Sequence, residues 1–414
     1  MKTPETRNTA APERSGTGEA VAGTAAGGGP GAGAGTEGRG GRGAGRAAGP
    51  GGVPRARRPW RRGTARAPLG GTLRTLRPLP AVSLRYRPRT VVAAAGCLLV
   101  ALAVGVLSVG TGDFPIGPVE VLRTVAGSGT PAQDFIVNEL RLPRVIAALL
   151  AGAALALSGA VFQSVVRNPL GSPDLLGLTQ GASTGALLVV ITGGSSAALA
   201  GGAVAGGLLT GLLIFALAWR QGLHGLRLVL IGIGVMAMLT GVNGYLLTRA
   251  KLMEASRAVL WLTGSLDGRG WPEVTPLLIA VAVLLPVTVA GCGRALRMAE
   301  MGDDAAHALG IPVERVRLVA LGSAVALASF AAACAGPVAF VALTAPQLAK
   351  RLTKAPGPNL LPAACMGAAL LVVADWAAQN AFGGRQLPVG VVTGLLGGGY
   401  LVWLLARQRR AGLL

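Results

Sequence analysis

Charged side chains are scarce in this chain, aromatic ones scarcer, and histidine is nearly missing. Charged residues fill 13% of the 414 positions and Phe, Trp and Tyr together 4%, against 51% hydrophobic. A soluble globule of this size needs more polar surface, so a lipid-facing exterior is expected. The two histidines, His224 and His307, are too few for a haem or metal relay. Cys97, Cys292, Cys334 and Cys365 lie far apart, in or at the ends of apolar stretches, without metal-ligand or redox spacing. They read as small packing residues. Neither a phosphate-cradling GxxxxGKS/T loop nor an HExxH motif occurs, which removes ATP binding by that device and metalloprotease hydrolysis by that one. Among acids in apolar runs, Asp375 is the one clear case. A buried acid is a functional candidate by default, or else a hydrogen-bonded helix lock near the outer face. A lone acid is a poor proton pathway, and the midplane ion ligands and repeats of secondary transporters are not seen.

What is abundant is basic charge, unevenly placed. The net charge is +21, and residues 1–90 carry 17 Lys or Arg against four Glu. From Met1 to about Arg89 the sequence is Gly, Ala, Pro and Arg without apolar periodicity, so residues 1–89 are expected as a disordered cytoplasmic tail. The cluster Arg55, Arg57, Arg58, Arg61, Arg62 and Arg66 reads as a solvated topogenic segment, with an RNA-binding arm or anionic-lipid patch as alternatives. No secretory cleavage pattern follows Met1, so the first apolar segment is expected to stay as a helix.

Residues 90–410 are expected as an all-α polytopic membrane domain. Crossing the hydrocarbon layer takes about 20 apolar residues. Ten candidate spans lie near 91–110, 145–166, 175–193, 197–219, 227–248, 274–292, 317–335, 338–350, 360–381 and 388–406. The eighth is too short to cross alone and reads as a half-helix. With the tail inside, alternate loops carry Arg167, then Arg220 and Arg227, then Arg294, Arg297 and Arg315, then Lys350, Arg351 and Lys354, then Arg407, Arg409 and Arg410. That pattern obeys the positive-inside rule and puts both termini in the cytoplasm. Outward loops hold Arg141, Arg144, Arg249, Lys251, Arg257, Arg269 and Arg385, available to an acidic partner. Frequent Gly and Ala, as at Gly152, Gly159, Gly181 and Gly185, permit close helix approach.

Six strings stand apart. They are LRLPR at 140–144, RNPLGSPDLLG at 167–177, WLTGSLDGRGW at 261–271, GDDAAHALGIP at 302–312, AGPVAFVALTAPQLAKRL at 335–352 and LPVGVVTGLLGG at 387–398. In the fourth, Asp303 and Asp304 suit a helix N-terminus, while Gly310 and Pro312 end the helix after about two turns. In the first, Pro143 suits an opening helical turn and Arg141 and Arg144 share a face, either to grip carboxylates or to snorkel at the interface. In the second, Pro169 and Pro173 bar a continuous helix and force a sharp re-entry. Trp261 and Trp271 read as interfacial.

Together, in order and at compatible spacing over about residues 91–410, these strings resemble the iron-siderophore and cobalamin permeases of binding-protein-dependent, ATP-driven importers of the type II class. The resemblance implies that the helix formed by Gly302, Asp303, Asp304, Ala305, Ala306, Leu309 and Gly310 docks in a cleft of a separate ATPase subunit. It implies that Arg141, Arg144 and Arg385 receive acidic residues of an extracellular or periplasmic binding lipoprotein. Arg167, Asn168, Pro169, Gly171, Pro173, Gly336, Pro337, Pro346, Asp375, Pro388 and Gly390 are expected to take structural roles, with contact to the ATPase as the alternative for Arg167. A second permease, identical or paralogous, completes the path in the bacterial cytoplasmic membrane. ATP and Mg are implied on the ATPases and no cofactor on this chain; nucleic acid is not an expected partner, and covalent chemistry is not expected here. A ferric siderophore of enterobactin type is the implied cargo, with cobalamin or haem as alternatives and an ATPase-independent carrier as a remote one. The chain departs from the pattern at Gln347, where His is usual, and at Gln379, where Arg is frequent.

Overall fold

The computed structural model describes residues 74–79, 82–112, 114–219, 225–381 and 386–410. The chain enters with an antiparallel pair, β1 (Arg74–Leu79) and β2 (Val82–Tyr86). Both strands lie within residues 1–89, expected as a disordered tail. The rest of that expected tail lies outside the described residues.

Everything after is helical. In order come α1 (Pro88–Gly110), α2 (Pro118–Val125), α3 (Pro131–Asp134), α4 (Leu142–Val166), α5 (Leu178–Ile191), α6 (Ser196–Ala218), α7 (Gly225–Arg249) and α8 (Leu252–Leu262). Then follow α9 (Trp271–Pro286), α10 (Gly293–Ala299), α11 (Asp303–Ala308), α12 (Val313–Ala335), α13 (Val341–Thr353), α14 (Leu360–Asn380) and α15 (Val389–Arg410). Among the described residues seven helical stretches are long and apolar enough to cross a bilayer, two of them being the continuous runs Pro131–Val166 and Trp271–Ala299. With the shorter α5, α13 and α15 they occupy the ten positions expected from the apolar runs.

Both long runs are continuous because a wide π-turn absorbs the local proline. Val287–Cys292 follows Pro286, which has no N–H to give to the preceding turn. Phe135–Arg141 precedes Pro143, and the Leu142 N–H reaches back to the Val137 carbonyl. The amphipathic α8 lay unrecognised in a stretch that reads as an outward loop, because its 11 residues are too few to register as a span.

The core sits around α4, which is buried nearly all round against α9, α12, α13 and α14. Glycine permits this. A Cβ on Gly152 would overlap the Gly367 carbonyl of α14, and one on Gly159 would overlap the Ala342 carbonyl of α13. Backbones therefore touch directly, the mode of packing open to helices in lipid, where apolar area alone gives no preference for protein over acyl chain. By contrast α1, α6 and α7 leave large apolar faces uncovered, with Leu99, Leu209 and Met238 about two-thirds or more exposed.

Candidate functional site

Among the described residues, the two ends of α4 carry the two clusters of ion pairs. Twenty-five helical residues separate them by about 37 Å, enough to put them at opposite membrane surfaces.

At the C-terminal end, Arg167 leaves the helix with a left-handed backbone, φ 55°. Its guanidinium turns back to the Ala299 carbonyl at 2.7 Å and to Asp303 Oδ1. Arg317, one turn into α12 and 9% exposed, donates to both Asp303 oxygens at 2.7 and 3.0 Å. Glu300 Oε1 accepts from Ser164 at 3.1 Å. Thus α11, entered through Gly302 at φ 122° and closed by Gly310 at φ 76°, is held to α4 and α12 by one carboxylate between two guanidiniums. Burial works to raise the Asp303 pKa, but Arg317 and then Arg167 outweigh it and hold the carboxyl below the usual carboxylate range. Of the expected coupling residues, Ala306 is buried while Asp304 and Leu309 face outward. Arg317 escapes sequence reading, since nothing marks an arginine 14 positions on as the partner of Asp303.

The loop 167–177 beside it is built by its own residues. Asn168 accepts the Leu170 N–H on its side chain at 2.9 Å and the Gly171 N–H on its carbonyl at 3.0 Å, closing a turn around Pro169. Gln347, standing where His is usual, donates to the Pro169 carbonyl at 2.7 Å from α13, next to Pro346. The substitution keeps a tie between the two segments.

At the N-terminal end, Arg144 donates to the buried Asp375 from two nitrogens at 3.1 and 3.0 Å and to Asp267 at 3.3 Å. Gln379 adds a hydrogen bond to Asp375 at 2.8 Å, one helical turn on. Asp375 is therefore the lock joining α14 to α4. Arg141 donates to the Val109 and Phe114 carbonyls at 2.8 and 3.0 Å. The side chain of Arg144, expected as a docking residue, is 14% exposed and holds two acids. Arg385 lies outside the described residues.

Gly336, Pro337 and Gly390 meet Gly264 in one knot. The Gly390 N–H donates to the Gly264 carbonyl at 3.0 Å, and a side chain at Gly390 would strike the Thr263 carbonyl. Trp261 is 8% exposed, packed against Ala182, Ala333 and their neighbours, and the alanines of α5, α6 and α12 leave room for its indole. Trp271 donates from its indole N–H to the Asn138 carbonyl at 2.9 Å.

Between α5, α7 and the break Gly336–Phe340 lies a cavity of about 650 Å³. Ser172, Asp174, Thr179, Gln180, Ser183, Thr240 and Asn243 put polar groups on a wall that is otherwise apolar. Asn243 donates to the Gln180 carbonyl and Oε1 at 3.2 and 3.0 Å and accepts from Thr184 at 2.7 Å. Polar side chains at such depth line a wet space or bind one another, and here they do both. Gln180 and Asn243 interrupt apolar runs, which is the signal that would have singled them out.

The model of the FecCD transport family matches residues 98–407. The chain is 45% identical over 318 residues to the ferric enterobactin transport system permease protein FepG of Escherichia coli, covering 76% of this chain and 96% of that one. It is 39% identical to the achromobactin transport system permease protein CbrC of Dickeya dadantii, covering 75% and 90%. A solved structure described as an inward-facing metal-chelate type ABC transporter superposes with a TM-score of 0.66 at 27% identity, over 76% of this chain and 98% of that one. With this architecture and a match over three-quarters of its length, the chain belongs to the FecCD transport family.

Proposed function

We propose that this chain is the membrane-spanning permease of an ATP-driven importer that carries a ferric siderophore of enterobactin type across the bacterial cytoplasmic membrane. The observation that carries the reading is α11: a short helix outside the long apolar stretches, clamped by Arg167 and Arg317, with Leu309 63% and Met301 75% exposed beside it. A rigid base under an exposed apolar tip suits a partner that pushes on it. That partner is a separate ATPase subunit, which supplies ATP and Mg. The passage runs between this chain and a second permease, and both termini lie on the ATPase side.

An extracellular binding protein delivers the cargo at the opposite surface, near the partly exposed Arg141 and the exposed Asp267. ATP binding closes the ATPases, moves α11 and switches the path between its two openings, alternating access driven by differential binding of the two states. Similarity to FepG supports the choice of cargo. Uptake of labelled ferric enterobactin, cobalamin and haem by a deletion strain, with and without the chain restored, tests it. Restored ferric-siderophore uptake is expected; restoration of cobalamin or haem uptake alone would overturn the cargo, and uptake without any ATPase would overturn the importer.

A further inference from the structure

Asp174 sits in the loop 167–177 outside the helices, where it joins three segments around the cavity. It lines that space, and its carboxylate accepts from the Thr179 side chain of α5 and from the backbone N–H of Phe340. Phe340 heads α13 with a left-handed backbone at φ 68°, a conformation that a bulky residue keeps only when its surroundings hold it there. One oxygen of the same carboxyl, Oδ1, is shut off from water and meets no donor. Ser172, two residues earlier, is 2% exposed in the same wall.

We propose that Asp174 is a proton-linked latch on the cavity wall: while its carboxyl carries a proton the loop lies shut against Phe340, and once the proton leaves the wall parts toward the cavity. An ionised oxygen without a donor is costly to keep dry, whereas a carboxylic acid can hold its proton there. Water or a cavity donor reaches the ionised oxygen only if the loop moves. Burial pushes the Asp174 pKa up to about 7, against the lowering effect of Thr179 and of the Phe340 N–H. The other walls add no titratable side chain: α5 contributes Thr179, Gln180 and Ser183, α7 Met236, Thr240 and Asn243, and α8 Leu262. In the same loop, Arg167 is engaged with Asp303. The latch deepens the proposed function, because the wall it controls would border the passage.

Thiol labelling of Ser172→Cys in the full chain, with the four native cysteines replaced by Ser, tests the latch without any transport. The labelling rate is compared between Asp174 and Asp174→Asn backgrounds, whose ratio cancels the titration of the probe thiol itself. For a group titrating near 7 the ionised fraction, and with it this ratio, rises about tenfold between about pH 6 and about pH 8. A constant ratio would overturn the latch. If Asp174→Asn does not insert, Asp174→Ser takes its place in the ratio. Failure of uptake with normal labelling would tell against the proposed function alone, and pH-independent labelling with normal uptake against the latch alone.

Discussion

Asp303 at the head of α11 is gripped by Arg317 through both carboxylate oxygens, at 2.7 and 3.0 Å, from a helix that begins ten residues later. The grip, shared with Arg167, makes α11 a continuation of the bundle instead of a loose loop between α10 and α12. Movement imposed on α11 is therefore passed to α4 and α12 through charge-assisted hydrogen bonds.

Reversing that charge should uncouple the protein. Asp303→Arg with Asp304→Arg sets two new cations beside Arg167 and Arg317, so hydrolysis by the partner should continue while uptake falls about tenfold or more. Uptake and hydrolysis measured on the same vesicles check this; unchanged uptake would remove the coupling role.

The pH dependence of the same grip follows from its sign. The Asp303 pKa lies below its ordinary value, so its contribution to holding α11 is fully present above the unfolded value of about 4 and is lost as pH falls through the lower folded one. Protease sensitivity of the segment around Met301 should be flat from about pH 8 down to about pH 5 and rise only in stronger acid. A rise near neutrality would contradict the assignment.

The opposite end should be the more sensitive to truncation. Arg144 and Asp375 are 14% and 2% exposed, and removing either partner from a buried pair leaves an unpaired charge worth about 3–5 kcal/mol. Arg144→Ala and Asp375→Ala should each lower the unfolding temperature in detergent, whereas the paired change Arg144→Met with Asp375→Leu should recover most of the loss. Equal destabilisation by the pair would mean that the contact is not what the singles remove.

Gly159→Leu should prevent assembly. The added side chain meets the Ala342 backbone, which cannot step aside as a flexible side chain would, so the strain exceeds the ~3 kcal/mol of ordinary overpacking. Gly234, with open space around it, should accept Ala without effect. Yield of folded protein by size-exclusion chromatography separates the two.

Much of this was legible in the sequence. Apolar runs located the seven long helical stretches and the shorter α5, α13 and α15, and Gly302 with Gly310 bracketed α11. Contacts between distant segments were not legible. Arg144 has partners at positions 267 and 375, far off in the chain, so the sequence showed that it could grip carboxylates but not which ones. The packing of Trp261 was not legible, because the alanines around it come from three other helices. Gln379 was the exception that could have been read: four residues after Asp375, it is in place to donate along the helix.

The account turns on which side of the bilayer α11 occupies. Ala305→Cys, on a background without the native cysteines, should react with a membrane-impermeant maleimide only after the cytoplasmic face is opened, and should be protected when the ATPase partner is bound. Labelling of Ala305→Cys from the outside of intact cells would put α11 beyond the reach of any ATP-driven engine and contradict the proposed importer.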